Sequence, residues 1–186
     1  MRPARALLRN DRAAAAAELA LVSPFLLALM FGAFELGNLF LDEHSLEKQV
    51  RDGARFAARL ELSDDYSCSS DPATVFKLGD DAADEIIKVT KDGVTTGDGN
   101  PRWTSYWDRQ CNNATPTLSV TVRCVNKADI DTDDTGSTGI YSGLDGQIPV
   151  VSVAGAVKYR SVLAAIGFDS TNVCLRAESE AAVQGL

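Results

Sequence analysis

Histidine is almost missing from this sequence: His44 is the single one in 186 residues. A Ser-His-Asp or Cys-His arrangement needs an imidazole beside its nucleophile. His44 instead stands just past a long apolar run. The chain also lacks a G-x-S-x-G elbow, a phosphate-binding loop and an H-E-x-x-H pair. We therefore expect no enzyme, no catalytic residue and no cofactor. None of the four cysteines forms a C-x-x-C pair, and one histidine cannot complete a zinc set, so no metal is expected. Proline is absent between Pro24 and Pro72, which leaves a long interval with no strong helix breaker. Beyond the first dozen residues acidic side chains outnumber basic ones, which argues against nucleic acid as a partner.

The longest feature present is the apolar run Ala13 to Leu41. About 20 apolar residues cross a bilayer as a helix. Arg2, Arg5, Arg9 and Arg12 precede it, opposed only by Asp11. The net charge of −8 thus hides a more acidic remainder, about −11. Basic residues before a spanning helix stay in the cytoplasm, so the N-terminus is expected inside and everything after Leu41 outside. A secretory signal would share the basic start, but its apolar core runs only about 7–15 residues and ends at a small-residue cleavage site. Gly32-Ala33-Phe34 is the nearest such site, and bulky neighbours spoil it. Cys68, Cys111, Cys124 and Cys174 all follow the run. In an oxidising compartment, an even count predicts two disulfides.

Read in order, residues 1–13 form a basic leader. From about Ala14 the helical pattern continues past the apolar run. Leu46, Val50, Ala54 and Ala57 fall on one stripe, with Glu47, Lys48, Arg51 and Arg55 elsewhere. This predicts one helix over 14–62, roughly 49 residues or about 74 Å, with its first half (about 14–41) transmembrane. Pro24 bends or loosens it. Residues 63–186 then form an extracytoplasmic domain. Its first element is a helix over Pro72 to Lys91, with Val75, Leu78, Ala82, Ala83, Ile86 and Ile87 at helical spacing. The period then changes to two. Leu118, Val120, Val122 and Cys124 alternate with Ser119, Thr121 and Arg123. Ile148 to Tyr159 and Thr171 to Ala177 read as two further strands. The fold class is α+β: a long membrane helix leading into a small domain with a short antiparallel sheet packed on the exposed helix half.

Several residues invite chemical readings. Asp129, Asp131, Asp133 and Asp134 suggest calcium, but the EF-hand spacing fails, with Asp134 where the loop needs glycine and Ile140 where it needs glutamate. A solvated acidic loop is the better reading. Trp103, Tyr106 and Trp107 read as core rather than as a ligand site. A Cys111–Cys124 bridge would close a short loop, worth about 3 kcal/mol, and would leave Cys68 to Cys174. The rival Cys124–Cys174 bridge gets no support from strand parity. Glu18 is the most costly residue in the run, since a carboxylate in hydrocarbon costs about 2.5–3.5 kcal/mol. If the leader were cut between Ala13 and Ala14, the new amine of one copy would pair with Glu18, the fifth mature residue, of a neighbour. Otherwise Glu18 sits at the cytoplasmic interface among head groups. Glu35 closes the run. Gly32 and Gly37 are five apart, so they are not a G-x-x-x-G face.

Three segments taken together resemble a known family: Arg12-Ala-Ala-Ala-Ala-Ala-Glu18-Leu-Ala-Leu-Val-Ser-Pro24, Phe31-Gly-Ala-Phe-Glu35-Leu-Gly37 and Gln49-Val-Arg-Asp-Gly-Ala-Arg-Phe-Ala-Ala58. They are similar to TadE-like proteins, pilin-like (pseudopilin) subunits of the tight-adherence, or Flp, pilus. The resemblance covers about residues 13–58. It implies a bacterial minor pilin in the inner membrane, processed by a prepilin peptidase and acting in pilus assembly and surface adhesion. Its implied partners are other pilin-like subunits, that peptidase and the inner-membrane assembly platform. It also implies a processing site at Ala13 and Ala14, amine pairing at Glu18, and helix contacts at Pro24, Glu35 and Gly37. The sequence departs from the family at Ala13, which stands where a glycine is expected. The alternative is an uncleaved, single-pass anchor carrying an extracytoplasmic binding module.

Overall fold

The computed structural model describes residues 11–60, 80–95, 107–111, 117–126, 147–167, 170 and 172–184. The first helix, α1, is Asp11–Ala57, and the second, α2, is Asp80–Asp92. Three strands follow: β1 (Leu118–Asn126), β2 (Gln147–Lys158) and β3 (Cys174–Ala182), with a 3-10 turn, Val162–Ile166, between the last two. The strands form one antiparallel sheet in the order β1-β2-β3. The expected α+β class, a long apolar helix followed by a small antiparallel sheet, is borne out.

The chain divides into two compact units. One holds α1 as far as Phe40 together with the turn that begins at Ser161. The other holds α1 from Leu41 with α2 and the sheet. In the first unit the helix is apolar all round and exposed, with Leu19, Leu21, Phe25, Leu29, Phe34 and Phe40 all open. A soluble helix hides such a surface, whereas a membrane helix presents it to lipid. Its length and apolarity suffice to cross a bilayer, and the chain fits a single-pass membrane anchor.

In the second unit α1 turns amphipathic, as its stripe predicts. Leu46, Val50, Ala54 and Ala57 are fully or almost fully buried, while Glu47, Lys48, Arg51 and Arg55 are exposed. The sheet supplies the other side of this core. Register places Leu118, Val122, Val151, Val153, Val157 and Leu175 on the face that also carries Gly155. A Cβ on Gly155 would come within 3.1 Å of Leu46 Cδ1 and 3.2 Å of the Trp107 ring. Glycine at this position therefore lets α1 and Trp107 lie directly on β2. Trp107 is buried, as core was expected to be, and its indole N–H donates to Gln49 Oε1 at 2.8 Å. That bond satisfies the one polar group the indole brings inside. Trp103, Tyr106 and the Asp129 to Asp134 segment lie outside the described residues.

On α2, Ile86 and Thr90 are buried, and the Thr90 hydroxyl donates to Ile86 O at 2.7 Å. The helix ends at Gly93, whose φ of 76° is left-handed and whose N–H reaches Val89 O at 2.9 Å. α1 ends at Ala57 with a turn through Leu60. There Ala58 O accepts from Gln184 N at 2.9 Å, which ties the end of the helix to the chain beyond β3.

The cysteine pairing differs from both expectations. Cys111 is bonded to Cys174, with Cα atoms 5.7 Å apart. Cys124 is also disulfide-bonded, and Cys68 lies outside the described residues. The reason is register. Cys174 pairs with Lys158 at one end of β2, and the Lys158 N–H donates to Arg109 O at 3.0 Å. Cys111 therefore arrives beside Cys174. Cys124 pairs with Pro149, about nine residues or 30 Å away along β2. Neither a Cys111–Cys124 nor a Cys124–Cys174 bridge can span that distance.

Candidate functional site

Polar and helix-perturbing residues are few on the apolar half of α1, and the structure treats each differently. Glu18 is exposed. Pro24 lies inside the helix and removes the N–H that would have reached Ala20 O. The Ser23 hydroxyl donates to that same carbonyl at 3.4 Å. In hydrocarbon an unpaired carbonyl has no water to turn to, so this local replacement is what lets a proline sit there. Gly32 and Gly37 face open space, with nothing within 4 Å of an added Cβ.

Glu35 is the exception, because it has a partner far along the chain. One of its carboxylate oxygens, Oε2, accepts from Val162 N at 3.1 Å and from Leu163 N at 3.3 Å. These are the first two N–H groups of the 3-10 turn, and such groups have no partner inside a helix. The Ser161 hydroxyl also accepts from Leu163 N, at 3.0 Å. A carboxylate at the positive end of a helical turn is doubly favoured, by hydrogen bonding and by the peptide dipoles. No spacing rule links position 35 to 162, so sequence reasoning missed this contact.

The second unit carries the remaining charge pairs. On the outer face of the sheet Arg123 and Glu180 are joined by two hydrogen bonds, of 2.6 and 3.2 Å. Both groups are exposed. That hydrogen bonding raises the Arg123 pKa and lowers that of Glu180. The Ser152 hydroxyl donates to Glu178 Oε1 at 2.6 Å. Asp42, at the start of this unit, is pushed up by partial burial, against a smaller opposing pull from Arg109. Among the described residues, no three His, Cys, Asp or Glu side chains converge as a metal would need.

This helix, with its exposed apolar face, its early Glu18 and its buried Gly53-Ala54 corner, has a counterpart. Residues 13–55 match the family model described as TadE-like protein. That stretch of the chain is similar to TadE-like proteins. The match bears out the expected resemblance and covers α1 almost to its end. No curated protein and no solved structure matches the chain.

The TadE-like segment also gains a structural account at Arg51-Asp-Gly-Ala-Arg55. Gly53 and Ala54 are buried while both arginines are exposed. A Cβ on Gly53 would collide with Thr90 Oγ1 and lie 3.1 Å from Thr90 Cβ. The glycine is therefore the point where α2 approaches α1. Among the candidate positions, then, the structure joins Glu35 to the 3-10 turn and Cys111 to Cys174. It does not bring Glu18, Pro24 and Gly37 together.

Proposed function

We propose that this chain is a minor pilin, a pseudopilin, of a Tad (Flp) pilus, acting in pilus assembly and surface adhesion. The observation that carries the reading is the TadE-like match laid over a helix whose apolar half is exposed. In this reading the N-terminus is cytoplasmic and the disulfide-bonded domain lies across the inner membrane, where thiols oxidise. A prepilin peptidase cuts between Ala13 and Ala14. These residues lie in the first turn of α1, where the leading N–H groups have no helical partner to lose. The amine of Ala14 in one subunit then pairs with Glu18 of the next, drawing helices together in lipid, where an ion pair removes the cost of an isolated carboxylate. The assembly platform and other pilin-like subunits are the partners.

Glu18→Ala tests this reading in cells. The variant should insert in the membrane at wild-type level yet be absent from sheared pili. Normal pili and adhesion would overturn the reading. The rival is an anchored binding module that is never cleaved, and Ala13 in place of glycine is the observation in its favour. Intact mass and N-terminal sequencing of the membrane protein separate the two. A chain beginning at Ala14 supports the pilin, and a retained leader supports the anchor.

A further inference from the structure

The turn Val162–Ile166 reads Val-Leu-Ala-Ala-Ile, five apolar residues in succession. Val162 is 48% exposed. The turn's leading and closing N–H groups all have acceptors. Val162 N and Leu163 N donate to Glu35, Ala164 N to Ser161 O at 3.3 Å, and Gly167 N to Ala164 O at 3.1 Å. A turn immersed in a membrane must satisfy its own N–H groups in this way.

Depth agrees with that requirement. Glu35 is sixteen residues beyond Leu19, about 24 Å along the helix, near the far edge of a hydrocarbon layer about 30 Å thick. Phe34 and Leu36 beside it are 62% and 51% exposed. The need is mutual, because a carboxylate at that depth requires donors and the turn supplies two.

We infer that the Val162–Ile166 turn is a second membrane contact. It enters the boundary between head groups and acyl chains beside α1, with Val162 against lipid and Glu35 as the clamp that holds it there. The inference rests on the membrane span alone and does not depend on the pilin reading.

The test uses the full chain in vesicles of phosphatidylcholine and phosphatidylglycerol, with the photo-crosslinker p-benzoylphenylalanine placed at position 162. The same group at Leu29, within the span, serves as the positive reference. At Glu178, on the polar face of β3, it sets the background. Lipid adducts at 162 should exceed the background about tenfold, as for an interfacial segment. They should persist in Glu35→Gln, which keeps an acceptor oxygen, and fall to background in Glu35→Ala. An intact Cys111–Cys174 bond, read by mass, confirms that each variant has folded. Background labelling at 162 with strong labelling at 29 would overturn the inference and leave the span standing. A protein–protein adduct at 162 in place of lipid would assign the turn to a second copy and overturn it equally. Undiminished lipid labelling in Glu35→Ala would overturn the clamp.

Discussion

Gly53→Ala is the most informative single change to the TadE-like segment, because two effects of known size oppose each other there. In an isolated helix, alanine for glycine is favourable by about 1 kcal/mol. Here the new methyl group meets Thr90, whose Cβ would be 3.1 Å away and whose Oγ1 would be closer still. Thr90 is buried and its hydroxyl is already committed to Ile86 O. Rotating it away would leave a buried hydroxyl unpaired, at a cost of about 1–3 kcal/mol. Moving α2 away instead would cost a similar amount in lost packing, as overfilled cores do, about 1–3 kcal/mol. The tertiary term should win, giving a net destabilisation of up to about 2 kcal/mol. In thermal unfolding of the full chain in detergent, followed by tryptophan fluorescence, Tm should fall by several degrees, at about 2–8 °C per kcal/mol. Thr90→Ala removes the colliding oxygen. In the double variant the two effects should couple by at least about 1 kcal/mol. A rise in Tm for Gly53→Ala, or strict additivity in the double variant, would refute the close helix approach.

Replacing Cys111 and Cys174 by serine opens a link between residues 63 apart, which should cost about 4 kcal/mol by the chain-entropy estimate. Non-reducing peptide mapping of the parent should recover the Cys111–Cys174 peptide, and recovery of a Cys111–Cys124 peptide would contradict the register. Asp42 should make stability depend on pH with a definite sign. Burial raises its folded pKa above the ordinary 3.8, so the folded state binds the proton more readily than the unfolded one. Its unfavourable contribution is therefore present at neutral pH and disappears as pH falls through the raised value. Asp42→Asn should have a higher Tm than the parent at pH 7, and the gap should close in acid; a gap that widens in acid would contradict the sign.

Much of the fold was legible in the chain because its signals are local. The run from Ala13 to Leu41 needs only its own apolarity to be a span. The stripe Leu46, Val50, Ala54, Ala57 needs only the helical period to present one face, and all four residues are buried. The alternation of Leu118 to Cys124 likewise needs only the period of a strand, and it matches the observed β1. The TadE-like resemblance was legible for the same reason, since its residues lie within one continuous helix.

What the sequence could not decide is which distant residues meet. The Cys111–Cys174 bond follows from the register of β2 against β3, since a different register would leave those cysteines apart. The partner of Glu35 lies 127 positions away, and no period reaches that far. Gly53 reads as a blemish in a good helix until α2 is laid against it. Periodicity and charge fix how each element is built and which face it buries, because those depend on neighbours along the chain. Pairing, close approach and the fate of a half-buried carboxylate depend on neighbours in space, and only the folded structure supplies those.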